Sequence, residues 1–578
     1  MKRLIYLAAI VLSIMGATSS CSDYLEKAPG VDVTEDTIFS TVTNVETFVA
    51  GTYFWGLLGD LGYWDPRDKS DCISDAATDA AEIAMTWYWT QAWNTASMTP
   101  SNTLDRRFNS HWTAIRRINT IIERIDDAPF NDPDYKRQVM GEAKFLRAYN
   151  YMQLFIKYGG VPILRARVGL GDDFRIPRGT VAEMVDFMIA DCNDAIAKLP
   201  APNEYQSNLR GRATSVAAMA LKSRILLYAA SPTFNTDTPY LNFGANNNLI
   251  CYGNYDQNRW KLAADAAKEA IDAALAGGHN LITDQGVEAN YQYAWETPDN
   301  IEIILAEKSH GTCWHYHFPW GSQVPQSAGG FGGGLNLTFN FLTKYEKRDG
   351  TPQEWNMDGG DDLMKKYEEL DPRFKQTVVY QGKPWNSYDK PIMDFTSASV
   401  EAGTSDGIDK CITGMLVHKP VPYALSSRQG MIPNGIIFRM AELYLNYAEA
   451  LNECNATPPQ AAYDAVNVVR QRSGMPKLSQ NMTTEEFRAK VRNERAVELA
   501  FEGHRLWDIR RWEIAEDDGV MQGDMLGLRI QVSVVNKNDY HYQPEVFETR
   551  SFNKRMYRHP FGVGEMEKGY LVQNPGYN

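Results

Sequence analysis

The sequence predicts a mainly α-helical protein in which stacked helix pairs support an irregular, loop-rich half with few short strands. Three observations predict it. Apolar residues recur at spacings of three and four through much of the chain, and Gly or Pro closes the clearest of these segments. Between about 280 and 430 that rhythm gives way to Gly, Pro, Asn, Asp and aromatic residues. The composition agrees: of 578 residues, 44% are hydrophobic and 22% charged, a globular balance and neither a disordered nor a fibrous one. Length accommodates roughly two to four domains.

Met1-Lys2-Arg3 is basic, Leu4 to Ala17 is apolar, and Thr18, Ser19 and Ser20 are small. This is a secretory signal over 1–20, too short for a membrane span. Cys21 then has two readings, an ordinary thiol near the cleavage point or the lipid-bearing first residue of the mature chain. The second is favoured, because Cys21 directly follows the small residues and opens a polar tether, Ser22 to Glu26. A lipid there anchors a protein without a spanning helix. The remaining chain divides into 21–275, a region of helix pairs, and 276–578, which holds the loops and further helices.

Helices are predicted at about 108–126 and 142–158. The latter carries two apolar stripes: Phe145, Tyr149, Met152 and Ile156 on one side, Tyr151, Leu154 and Tyr158 on the other. A helix apolar on two sides lies between other helices. Gly159-Gly160 stops it, and Val161-Pro162-Ile163 leaves extended. Helices follow at 180–198, at 214–230 (closed by Pro232), and from Trp260 to the stop at Gly277-Gly278. Others follow at about 436–453, 459–473 and 484–502. Their many alanines let backbones approach closely, as in helical hairpins, but a strict 34-residue period is absent.

Several function classes are excluded. With 58 Lys and Arg against 72 Asp and Glu, the net charge of −14 disfavours a nucleic-acid partner. One apolar stretch is too few for a polytopic transporter. Cys72, Cys192, Cys251, Cys313, Cys411 and Cys454 form no compact framework and are read as mostly free, buried thiols. The Gly329–Gly334 cluster lacks the Gly-Lys-Ser/Thr of a phosphate loop. Cys313, His315 and His317 could share a strand face toward zinc, but no fourth ligand is evident, so no metal is assigned. No nucleophile elbow or HExxH helix occurs, and no cofactor is expected. In Arg492–Trp512 the pairs Arg495/Glu498, Glu502/Arg505 and Arg505/Asp508 have helical spacing. They read as a structural ion-pair network that braces two helices through Gly503.

Aromatic clusters are the positive signal. Trp87, Tyr88, Trp89 and Trp93 precede Asn94; Trp314, Tyr316 and Trp320 lie in the irregular middle, with Tyr291, Tyr293 and Trp295 upstream. Ring faces pack on the C–H faces of sugars while amides and charged groups take hydroxyls. Burial in the core is the competing account of each ring. We take Trp87, Trp89, Trp93, Asn94, Trp314, Tyr316 and Trp320 as ligand-binding candidates.

Five blocks carry a family resemblance: GEAKFLRAYNYMQLFIKYGGVPIL (141–164), FRMAELYLNYAEALNE (438–453), VNVVRQRSGMP (466–476), NERAVELAFEGHRLWDIRRW (493–512) and QNPGY (573–577). Together with CSDYLEKAP (21–29), they resemble the SusD/RagB family of outer-membrane nutrient-binding lipoproteins of Bacteroidetes. One departure is Tyr557-Arg558-His559-Pro560-Phe561, where the family usually reads close to Tyr-Pro-Ile-Pro. The resemblance implies tetratricopeptide-like helix pairs below a loop-rich binding half. It also implies no catalytic activity, a lipid anchor at Cys21, and an outer-membrane location facing the cell exterior. The partner it implies is a TonB-dependent barrel of the SusC/RagA type. The cargo would be an oligosaccharide or, in some branches, a peptide or glycopeptide. A helical glycoside hydrolase is the alternative from another class. In the family's starch-binding member, glycan contacts come from regions that correspond to Trp87–Asn94 and Tyr291–Trp320.

Overall fold

The structure, a computed structural model, describes residues 34–57, 74–83, 89–169, 171–205, 209, 211–307, 312, 324, 335–388, 392–397, 411–426, 428–432 and 434–577. The principal helices are α1 Glu35–Phe39, α2 Val42–Gly56, α3 Gln91–Asn94, α4 Phe108–Arg124, α5 Pro133–Tyr158, α6 Val181–Lys198, α7 Ser215–Ala230, α8 Asn258–Ala276, α9 Asn290–Glu296, α10 Met440–Cys454, α11 Gln460–Arg472, α12 Thr484–Glu498, α13 Arg505–Arg511 and α14 Val563–Met566. The strands are β1 Ala81–Ile83, β2 Ile303–Glu307, β3 Leu335–Leu337, β4 Val378–Tyr380, β5 Met415–Val417, β6 Gly435–Arg439, β7 Gly523–Val532 and β8 Tyr540–Arg550.

Local chemistry starts and stops the helices. Asp132 caps α5 by accepting from the amides of Asp134 and Tyr135, with Pro133 in the first turn. Thr180 with Glu183, and Thr483 with Glu486, form reciprocal capping boxes on α6 and α12. At the end of α5, Gly159 has φ +72°. A Cβ on Gly160 would lie 1.8 Å from the carbonyl oxygen of Gly179, so no other residue fits this crossing. Three predicted boundaries shift. Helix α5 begins at Pro133, before the predicted 142. The segment from 435 begins as strand β6 before turning into α10. Helix α12 ends at Glu498, where Phe501 (φ +59°) and Gly503 (φ +77°) reverse the chain into α13.

Each long helix packs on the next: α4 on α5, α5 on α6, α6 on α7, α7 on α8, α8 on α10, and α10 on α11 and α12. Both predicted stripes of α5 are buried, Phe145 and Tyr149 as well as Tyr151 and Leu154. A separate core, with Phe339, Tyr345, Phe374, Tyr380 and Trp385, fills the irregular half. There the antiparallel order is β1-β3-β5-β4, while β2 pairs with β6. The β7–β8 hairpin is longer than the short strands expected, with strands of 10 and 11 residues and a bulge between Met525 and Leu526. Cys192, Cys251 and Cys454 are free thiols.

The two halves are joined by buried charge. The carboxylate of Glu498 accepts from Arg439 Nη1 (2.7 Å) and Arg373 Nη1 (2.9 Å), and also from Arg472. Arg439 and Arg472 both reach Glu302, at 2.8 and 3.0 Å. Glu502 pairs with Arg439 and Lys419, Arg505 with Asp79, and Arg495 with Asp508. The network is therefore structural, as expected, but the three expected pairs are not its contacts. The reversal at Phe501 and Gly503 parts Glu502 from Arg505; within the helices, Glu498 turns to Arg439, Arg472 and Arg373, Asp508 takes Arg495 and Arg511, and Arg505 takes Asp79. Against the cost of burial, Arg472, Arg439 and Arg373 hold Glu498 well below the usual carboxylate range.

Candidate functional site

Strand β1 pairs with β3 so that Ala81 faces Leu337 and Ile83 faces Leu335. The chain leaves β1 at Ile83 toward 84–88 and enters β3 at Leu335 from 308–334. The described anchors of the two aromatic segments are thus register partners, although 252 residues separate them in sequence.

Glu82 organises the segment after β1. Its buried carboxylate accepts from Gln91 Nε2 and Asn94 Nδ2, each at 2.7 Å, and from Arg550 Nη2 at 2.5 Å. Arg550 also donates to the carbonyls of Ala81 (3.1 Å) and Thr78. Ser551 N–H donates to Asn94 O at 2.9 Å, so the end of β8 clamps α3 onto β1. Burial pushes the Glu82 carboxyl up to about 8, against the pull of Arg550 and aided by Glu548.

Two candidates are corrected here. Trp93 is 0% exposed; its ring meets His559 edge-on at 5.0 Å and lies 4.8 Å from the guanidinium of Arg510. Asn94 is equally buried, and its amide is consumed by Glu82 and the carbonyl of Ala76. Both hold the shape of α3 and present nothing to a ligand. Trp89 is half-buried, with Arg106 5.7 Å from its ring. Upstream of the second segment, Tyr291 and Trp295 are interior. The Tyr291 hydroxyl accepts from Lys419 Nζ (2.8 Å) and donates to Glu498 O (2.9 Å). Cys21, Trp87, Trp314, Tyr316, Trp320, the Cys313/His315/His317 set and Gly329–Gly334 lie outside the described residues.

Polar atoms without hydrogen-bond partners among the described residues gather around this site. They include Ser74 Oγ, Trp89 Nε1, Thr90 Oγ1, Trp93 Nε1 and Asn94 Oδ1. Packed interiors rarely leave such groups unpaired. Burial pushes Asp75 up to about 7. Sequence reading missed Glu82, Gln91 and Arg550 as supports. Arg550 lies 468 residues from Glu82, and no local pattern reports a contact across that separation.

No group of three or more His, Cys, Asp or Glu side chains among the described residues could hold a metal ion. No helix among them is long and apolar enough to cross a membrane. The departure at 557–561 is interior: His559 Nδ1 lies 2.9 Å from Thr103 O, and the Arg558 guanidinium stacks 4.1 Å from the Phe234 ring.

Comparison with known proteins supplies the context. Residues 283–577 match the family model described as the SusD family, and residues 23–227 match one described as starch-binding, associating with outer membrane. A SusD-like protein of Formosa agariphila is 22% identical over 531 residues, covering 87% of this chain and 90% of that one. The crystal structure of a SusD-like protein from Bacteroides fragilis superposes with a TM-score of 0.77 at 27% identity, covering 95% of this chain and all of the other (100%). A laminarin-binding SusD-like protein shares the fold, with a TM-score of 0.58 at 18% identity over 93% of this chain and 100% of its own.

Proposed function

This chain belongs to the SusD family, and from that premise we propose that it is a non-catalytic lipoprotein that captures oligosaccharides at the cell surface. It then passes them to a SusC-like TonB-dependent barrel in the outer membrane. Cys21 carries the lipid, and the polar tether after it leaves the protein free to hinge over its partner. The ligand lies between the two aromatic segments, with Trp87, Trp89, Trp314, Tyr316 and Trp320 offering ring faces to the sugar.

The observation that carries this reading is the pairing of Ile83 with Leu335. Two segments rich in tryptophan and tyrosine, distant in sequence, depart from adjacent strand ends. Below them, Glu82 and Arg550 hold α3 rigidly, so little conformational freedom is lost when a ligand binds. Individual sugar contacts are weak, and retention beside the barrel comes from effective concentration more than from affinity.

The test is binding to a polysaccharide panel by the parent protein and by Trp87→Ala and Trp314→Ala variants. Each is expected to weaken binding by about tenfold or more without loss of folding or release of reducing ends. Unchanged affinity in both variants rejects the site. Reducing-end release replaces capture with hydrolysis. Preference for peptide over glycan replaces the cargo.

A further inference from the structure

A chain of ring contacts leads from the candidate site to a separate groove. From Trp93 the contacts run to His559 (5.0 Å) and Tyr158 (5.7 Å), then to Phe108 (5.4 Å) and Phe561 (4.9 Å), and from Phe108 to Trp112 (6.0 Å). Its first members are buried. At the other end, Phe108, Trp112 and Phe561 line a groove of 510 Å³, within the 300–1,000 Å³ range of small-ligand clefts.

Two more rings line that groove, Phe174 and Tyr570, edge-to-face at 6.0 Å. Phe174 is 57% exposed, yet a turn fixes its backbone. Asp173 accepts from the Arg175 amide at 2.9 Å and from its guanidinium at 2.8 and 3.0 Å; Ile176 N–H donates to Phe174 O at 2.9 Å. The groove also contains Asn109 and the pair Glu565–Lys568, bonded at 2.7 Å. The groove is thus mainly apolar, its rings joined by Pro162, Leu164, Val168 and Leu571, with an amide, a carboxylate and an ammonium among them. An acyl chain would strip water from Asn109 and from the Glu565–Lys568 pair without replacing it, whereas a pyranose uses both kinds of lining, stacking its C–H face and sharing its hydroxyls.

We propose that this groove is a second carbohydrate-binding site, separate from the β1–β3 site and engaging the same class of polysaccharide. The proposal rests on the capture reading. Its physical gain is avidity: a polymer that touches two weak sites is held longer than either site holds a short fragment. Between the sites, the buried ladder supplies rigid support.

The experiment uses full-length protein in detergent. A printed glycan array identifies a polysaccharide bound by the parent, and affinity electrophoresis in gels containing it measures retention. Phe174→Ala/Tyr570→Ala is expected to weaken retention by about tenfold, with an unchanged melting midpoint. Trp87→Ala/Trp314→Ala is expected to weaken it independently. Parental retention in the folded Phe174→Ala/Tyr570→Ala variant, with loss in the other, overturns the second site and leaves capture standing. Absence of any polysaccharide ligand on the array for the parent overturns both. Where the double variant melts early, Lys568→Ala, at the exposed rim, is scored in its place by the same criterion.

Discussion

Replacing Glu498 by Gln tests whether the buried ion network holds the two halves together. The carboxylate accepts from three guanidiniums and is 0% exposed. Hydrogen bonds to charged groups contribute about 1.5–3 kcal/mol each, a gross value that overstates the loss. Arg439 keeps Glu302 and Glu502, Arg373 keeps Asp371 and Glu494, and Arg472 keeps Glu302. The amide oxygen of Gln also retains one acceptor, while its NH2 must face cations. Breaking a buried pair in this way costs about 3–5 kcal/mol. With an unfolding entropy near 2.1 cal/mol/K per residue, a 578-residue chain unfolding as one unit loses about 2.5–4 °C in Tm. Differential scanning calorimetry of Glu498→Gln beside Glu485→Gln, whose side chain is 77% exposed, reads this directly. A Tm within 1 °C of the parent in Glu498→Gln refutes the reasoning. So does an equal shift in both variants.

Two further outcomes rest on the same physics. Trp93→Ala removes a fully buried indole between His559 and Arg510, and is expected to cost about 3–5 kcal/mol; calorimetry would show a Tm drop, whereas Trp89→Ala, half-exposed, shows much less. Acid unfolding is steep below pH 4. Glu494, Glu498, Glu502 and Asp508 have cationic partners that outweigh the burial opposing them and lower their pKa values, Glu502 to about 2. The unfolded chain therefore binds more protons there, and each contributes about 1.4 kcal/mol of lost stability per pH unit as pH falls from about 4. From pH 6.5 to 4 the slope is shallower. Burial keeps His418 and His504 neutral down to about 4 and destabilises on acidification. It also raises Asp75 and Glu82 to about 7 and 8, which acts in the opposite direction. Stability that is flat from pH 4 to 2.5 by chemical denaturation contradicts the assignment of these pairs.

The helices were legible in sequence because their signals are local. Thr180 and Glu183, Thr483 and Glu486, and Gly159 act within one turn of the backbone they start or stop. The double-sided α5 was legible for the same reason, since its apolar period reports burial directly. The site was only half legible. Aromatic density marked two stretches, yet it could not separate a ring packed in the interior from one at the surface. Trp93 sits four residues after Trp89 and turns inward, because Glu82 together with Arg550 and His559 from the far end of the chain determines the setting of α3.

Composition, the helix order and the family blocks were decided by the sequence alone, since each depends on residues a few positions apart. The pairing of Ile83 with Leu335, the partners of Glu498 and the open end of the aromatic ladder were decided only by the tertiary structure. Those contacts join groups up to several hundred residues apart, and their strength comes from exclusion of water. That exclusion exists only once the chain has closed around them.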